Sequence, residues 1–247
     1  MITSGKRLVT KSGKIQDIGI AKMHLTEEDI AIERGFKEII SVFGSNHVLY
    51  AEEENTTFPD SESVWVADPI SSTATFIAGL PHYAIVISHL VKGKAVFAAV
   101  YDPSVDEMFT AYAGKGSFLN SEKIKIDESK KSILFFPSRE WRKPEVTDVI
   151  KNSLSDYKIE DVRYSVGIIC CEVARGNSGG LILLAKDSFP QFAGGLILRE
   201  AGGFFTNIKG DSDIKSDDRI FVGGNRDVYG AMFPAVKDCV TNQTDNK

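Results

Sequence analysis

The run Val64-Trp65-Val66-Ala67-Asp68-Pro69-Ile70-Ser71-Ser72-Thr73 limits the fold more than any other part of the chain, because it carries an apolar strand straight onto a carboxylate and into a helix start. Asp68 closes the apolar run, Pro69 fixes φ for a turn, and the hydroxyls of Ser71, Ser72 and Thr73 can cap a helix whose first amides lack partners within it. Those amides, with the helix dipole behind them, favour an anion. A strand-to-helix junction of this kind holds divalent metals or phosphates, or is simply a turn into a capped helix. Its neighbours decide between the two.

Those neighbours are acidic. A second short apolar strand, His47-Val48-Leu49-Tyr50, runs into Ala51-Glu52-Glu53-Glu54-Asn55. Leu25-Thr26-Glu27-Glu28-Asp29 opens a helix with Thr26 as N-cap, and Asp29 stands three residues on, where its acid either answers the cap or faces a cleft. Asp29, Glu52 and Asp68 together offer the hard oxygen donors that Mg²⁺ prefers. His24, His47, His82 and His89 lack metal-binding spacing and read as structural, and no Cys/His pattern suits zinc. Cys170 and Cys171 fall in an apolar helix and read as core.

The order of these segments resembles the inositol monophosphatase family of magnesium-dependent, lithium-sensitive phosphomonoesterases, and the resemblance covers most of the chain. The family pattern runs Val-Thr-x-x-Asp, Gly-Glu-Glu, Asp-Pro-Ile-Asp-Gly-Thr, a hairpin with Tyr-Asp-Pro, and a Trp-Asp-x-Ala-x-Gly helix. Here the corresponding segments are Leu25-Thr26-Glu27-Glu28-Asp29, Ala51-Glu52-Glu53, Asp68-Pro69-Ile70-Ser71-Ser72-Thr73, Val100-Tyr101-Asp102-Pro103 and a helix ending in Glu200-Ala201-Gly202-Gly203. Phe76, Gly79, Pro81-His82-Tyr83-Ala84 and Gly114-Lys115-Gly116-Ser117-Phe118-Leu119-Asn120 also match.

Departures from the pattern fall at the metal ligands. Ser71 stands where the family has an aspartate that bridges two metals, and Ser72 replaces the next glycine. Counting back from Glu200-Ala201-Gly202-Gly203 aligns Phe189-Pro190-Gln191-Phe192-Ala193-Gly194 with the Trp-Asp helix and puts Pro190 at the third metal aspartate. Leu183 takes the place of a polar residue that contacts substrate hydroxyls, and Tyr164 replaces a glycine before Ser165. The resemblance implies one metal position formed by Glu52, Asp68 and the Ile70 carbonyl, and a second left with Asp68 alone, so at most one Mg²⁺ is held, weakly. Asp187, three residues before Pro190, reads either as a substitute ligand or as an acid at the helix start.

Catalysis in the family is an in-line attack by metal-bound water, which implies that Glu52, Thr73 and Asp29 would activate the water and Ser72 and Thr73 would meet the phosphate. The half-site that activates water is kept, and the half-site that stabilises the leaving oxygen is lost. Two readings follow. One is a phosphomonoesterase acting on a small phosphorylated metabolite with weak or lost turnover; the other is an inactive pseudophosphatase serving as a binding or regulatory module.

Composition narrows the class. The 247 residues are 43% hydrophobic, enough for a sizeable core, and carry a net charge of −5, which gives no support for nucleic-acid binding; the lysines at 123, 125, 130 and 131 read as solvated surface. No apolar run is long enough to span a membrane. The start of the chain lacks a signal-peptide core, and three cysteines make no disulfide framework, so a reducing cytoplasm is expected.

Periodicity supplies the elements. Ile30, Phe36, Ile39, Ile40 and Phe43 recur at helical spacing over 26–43. Residues 84–91 and 95–101 flank Lys92-Gly93-Lys94 as a hairpin, with 108–112 as a third strand. Strands follow at 133–136, 162–165 and 181–185, and helices at 145–154, 167–175 and 190–201, where Pro190 in the first turn is locally comfortable. Residues 10–14 read as a turn in place of the family's long opening helix, which leaves a homodimer open, and 241–247 as a disordered tail. The order predicts an α+β chain of two fused halves, 1–130 with an antiparallel sheet and 131–247 with alternating elements, forming the layered αβαβα sandwich of the inositol monophosphatase and fructose-1,6-bisphosphatase type.

Overall fold

The computed structural model describes residues 1–20, 24–54 and 57–244. Helix α2 (Glu27–Ser41) begins where the sequence places it, because a capping box fixes it: Thr26 Oγ1 accepts from the Glu28 amide, and the Asp29 carboxylate accepts from the Thr26 amide at 2.8 Å. The expected turn at 10–14 is corrected. A ten-residue helix, α1 (Ile2–Lys11), precedes it and continues through Thr10 and Lys11. Its signal is tertiary: Arg7 and Lys11 pair with the buried Glu28, and Gly5 lies so close to the Tyr101 ring that no larger residue fits.

The first sheet runs in chain order. β1 (His47–Ala51) pairs in parallel with β2 (Ser63–Ser71); β3 (Ala84–Val91), β4 (Lys94–Asp102), β5 (Glu107–Tyr112), β6 (Gly116–Leu119) and β7 (Glu122–Ile124) then add antiparallel. Lys92 and Gly93 both take positive φ, 51° and 76°, the two-residue turn that matches the twist of a hairpin.

The second sheet has the order β11 (Phe204–Asn207), β12 (Ile220–Gly224), β10 (Gly180–Leu184), β8 (Ile133–Pro137), β9 (Ile159–Asp161). β8 is parallel to both β9 and β10, and β12 is antiparallel to β10. The strand expected at 162–165 is corrected to Ile159–Asp161: Val162 still donates to the Phe135 carbonyl, but the chain then leaves the sheet, and the Ser165 amide donates to the His82 carbonyl at 3.0 Å.

Five layers result. α1 and α2 cover the outer face of the first sheet, with Leu8, Ile32, Phe36 and Ile40 against Ala67, Ile85 and Ala99. Helices α5 (Val166–Ala174) and α6 (Phe189–Glu200) fill the space between the sheets, where Ile169, Cys170, Ala193 and Leu196 meet Val86, Val100 and Phe109 on one side and Leu181, Leu183 and Phe221 on the other. Helices α4 (Pro144–Ser153) and α7 (Arg226–Thr244) close the far face over Ile133, Phe135, Ile182 and Val222. β10 shows the logic: Leu181 and Leu183 point inward and Ile182 outward, with the period of two that a strand buried on both faces requires.

Cys170 and Cys171 are fully buried between the sheets, and burial pushes both thiols well up. Residues 241–244, expected in a disordered tail, extend α7; 245–247 lie outside the described residues. Among the described residues no helix is long and apolar enough to cross a membrane.

Candidate functional site

Parallel pairing of β1 with β2 sets the site. Ala51 is in register with Ala67, and the Glu52 amide donates to the Ala67 carbonyl at 3.2 Å, so the backbone of Glu52, one residue past the end of β1, comes alongside Asp68 of β2. The junction differs from the sequence reading first in the length of its strand. β2 does not stop at Asp68 but continues through Pro69 and Ile70 to Ser71, crossing a bulge in which Asp68 pairs with Val86 and Ser71 with Ala84.

The helix that follows is α3 (Thr73–Ile77), one short turn. The expected hydroxyl cap is not formed. Ser72 takes a left-handed conformation, φ 73°, and its Oγ lies 2.6 Å from Thr75 Oγ1 instead of facing the first amides. Thr73 Oγ1 donates to the Ile70 carbonyl at 2.8 Å and lies 3.3 Å from Asp29 Oδ1. Asp29 is fully buried and its Oδ2 also takes the Thr26 hydroxyl at 2.5 Å, so it both answers the cap and ties α2 to the junction.

α6 delivers the fourth wall. Phe189, its first residue, stacks on Tyr50 of β1 with ring centroids 4.8 Å apart, which holds the start of α6 against the strand that leads into Glu52. Pro190 is buried in the first turn, where its missing N–H removes no helical bond. Asp187 Oδ1 accepts from the Phe189 amide at 3.3 Å, the role of an acid at a helix start, and Gln191 Nε2 donates to the Asp187 carbonyl. Leu183 is fully buried on the inner face of β10.

The donor set is thin. Among the described residues no group of three or more His, Cys, Asp or Glu side chains is placed to hold a metal ion. Asp68, the Ile70 carbonyl and Ser71 lie on β2, Glu52 follows β1, and Pro190 lies in the first turn of α6, so neither Ser71 nor Pro190 brings a carboxylate to the junction.

Two buried acids on α2 escape the sequence reading. Glu28 is legible only once α1 is known: burial raises it, but Lys11 at 2.6 Å and Arg7 hold it below the usual carboxylate range. Glu33 is 2% exposed and its Oε2 accepts from the Glu53 amide at 3.1 Å. Burial, reinforced by the charges of Glu54 and Glu53, pushes it up from 4.5 to about 7. Since the folded pKa lies above the unfolded one, the protein is expected to lose stability as pH rises from 4.5 to about 7. Glu33→Gln removes that loss: equal stability near pH 4, and a gain on the order of 1–3 kcal/mol at pH 8. Urea midpoints at the two pH values measure it, and parallel pH profiles for the two proteins would refute it.

Comparison with known proteins agrees with this architecture. The family model described as "Inositol monophosphatase family" matches residues 6–241. A Nus factor SuhB of Pasteurella multocida is 27% identical over 227 residues, covering 89% of this chain and 85% of its own. A fructose-1,6-bisphosphatase/inositol-1-monophosphatase of Aquifex aeolicus is 30% identical over 258 residues, covering 96% and 92%. Among solved structures, a Thermotoga maritima IMPase has a TM-score of 0.83 at 22% identity, covering 98% of this chain and 95% of that one. The five-layer fold and the near-complete family match together place the chain in the inositol monophosphatase family.

Proposed function

We propose that this chain is a non-hydrolysing or severely slowed member of its family, one that binds a small phosphorylated metabolite without a two-metal clamp and acts as a binding or regulatory module. The observation that carries this reading is the pair Ser71 and Pro190. One sits at the end of β2 and the other in the first turn of α6, and neither can supply an anionic ligand. The fold tolerates both, so the change costs chemistry and leaves the scaffold.

At most one Mg²⁺ would be held, by Glu52, Asp68 and the Ile70 carbonyl, and when bound it would supply positive charge next to a phosphate. Ser72 and Thr73 are the groups assigned to that phosphate, and Glu52, Thr73 and Asp29 to orienting a water. Loss of one well-placed electrostatic element costs about a hundred- to a thousandfold in rate. Relatives named Nus factor SuhB favour a role other than hydrolysis, and the relative named for two phosphatase activities keeps slow phosphomonoesterase turnover as the second reading.

Phosphate release from inositol phosphates, a nucleotide bisphosphate and an aryl phosphate distinguishes the two. The expected result is a rate at least about a hundredfold below that of the Aquifex aeolicus relative under the same Mg²⁺. A rate within tenfold of it, abolished by Glu52→Gln, overturns the proposal.

A further inference from the structure

A cavity of about 280 Å³ lies between α2, from its middle to its end, and β1, the edge strand of the first sheet. Glu33, Lys37 and Ile40 reach it from one face of the helix, spaced four and three residues apart, and His47 and Leu49 from one face of the strand. Glu54, just past β1, completes the lining. The volume falls below the range of about 300–1,000 Å³ that holds drug-sized ligands, so the space suits a smaller molecule. Asp68, Ile70, Ser72 and Thr73 take no part in the lining, which sets the cavity apart from the junction.

The charges around this cavity do not balance. Glu33 is buried and accepts from the Glu53 amide at 3.1 Å, and among the described residues no Lys, Arg or His pairs with it. The charged neighbours that act on it, Glu54 and Glu53, have its own sign. Lys37 is turned to Glu54, with Nζ 3.5 Å from Oε2, and both side chains are exposed. Trp65 Nε1 can only donate, and it donates to His47 Nδ1 at 3.3 Å, so that nitrogen acts as an acceptor and the imidazole brings no charge. Two carboxylates, Glu33 and Glu54, thus face one lysine, and one negative charge is left over.

The helix adds to that excess. No Lys or Arg stands in the last turn of α2, so nothing there offsets the partial negative charge of its C-terminal end. Keeping the acid is also costly, because ionised Glu33 lowers stability as pH rises, while a neutral Gln would still accept from the Glu53 amide. A buried acid that costs stability and opens on a cavity is the mark of a binding site.

Ile40 and Leu49 decide which cation fits. A hard divalent ion asks for about six oxygen donors, and among the described residues no three acidic, imidazole or thiol side chains are placed to hold a metal. Apolar walls suit a carbon body.

We infer that this cavity binds a small organic monocation, a primary amine carried on an apolar body. The ammonium meets Glu33 at the buried end, and the body covers Ile40 and Leu49. Glu33 also holds the amide of Glu53, one residue beyond Glu52, so the bound amine fastens the turn that follows β1. This ligand is independent of the phosphate reading of the junction.

Calorimetric titration of the full chain at pH 8, where Glu33 is ionised, with phenethylamine and with its neutral analogue 2-phenylethanol tests it. The amine is expected to bind at least about tenfold more tightly. Glu33→Gln, which folds with a gain in stability at this pH, should bring the ratio close to one. Glu54→Gln leaves Glu33 and Lys37 to cancel, and should remove part of the advantage while the melting temperature stays close to that of the natural chain. Ammonium chloride and magnesium chloride should not displace the amine at equal concentration. Equal affinities for amine and alcohol, no binding of either, or a preference that survives Glu33→Gln overturns the inference. Displacement by Mg²⁺ or ammonium overturns the organic assignment, and a lysine-bearing tripeptide that binds more tightly than the amine overturns the small-ligand assignment.

Discussion

Replacing Ser71 and Pro190 together by aspartate is expected to raise Mg²⁺-dependent phosphate release by about a hundredfold or more over the natural chain. Ser71 ends the strand that carries Asp68, and Pro190 follows Phe189, whose ring stacks on Tyr50 of β1 two residues before Glu52. An acid in the first turn of α6 is also locally favourable because of the helix dipole. The same substitutions bury carboxylates that lack a metal in a chelator. The double variant should therefore melt below the natural chain in EDTA and recover with Mg²⁺, by about 2.7 kcal/mol at a hundred times its Kd. The natural chain should respond little. A double variant whose melting ignores Mg²⁺ and whose phosphate release stays at background would show that the missing carboxylates are not what stops the reaction.

Phe189→Ala is expected to cost about 3–5 kcal/mol, a fall in Tm of roughly 10 °C for a chain of this length. Phe189 is 8% exposed, and its partner Tyr50 also meets Phe58 edge-on at 5.1 Å. Phe58 in turn stacks on Phe192 at 6.2 Å. This aromatic block joins β1 to the start of α6, so its loss both opens a cavity and frees the segment that positions Pro190. A thermal melt checks the first effect, and Tyr50→Ala in the same background, costing far less than it does alone, checks the coupling. A shift under about 2 °C would mean that α6 is held by other contacts.

Local signals made most of the fold legible. The box of Thr26 and Asp29 fixes α2, the Lys92-Gly93 turn fixes the hairpin, and the unbroken apolar run from Leu181 to Leu184 fixes β10, each within a few residues of chain. What escaped depends on partners distant in sequence. α1 buries only Gly5 and Leu8 and is held by Glu28 and Tyr101, so no apolar stripe announces it. Val162 to Ser165 has the alternation of a strand, but the bond from Ser165 to His82 draws it toward α5.

The site divides the same way. Asp29, Glu52, Asp68 and Thr73 are recognisable because they sit in short motifs, and the register of β1 on β2 accounts for Glu52 and Asp68 standing together. Ser72 reads as a cap until its positive φ is known. Glu33 gives no signal beyond an acid among the apolar residues of α2, and its burial depends on the packing of that helix against the first sheet.

Calorimetric titration of Mg²⁺ into the natural chain most directly tests the proposal that the two-metal clamp is lost. On the proposed reading, in which Glu52 and Asp68 are the anionic donors, no saturable uptake is expected below roughly millimolar Mg²⁺. Uptake of two ions at roughly micromolar Mg²⁺, abolished by Glu52→Gln and accompanied by phosphate release, would contradict it.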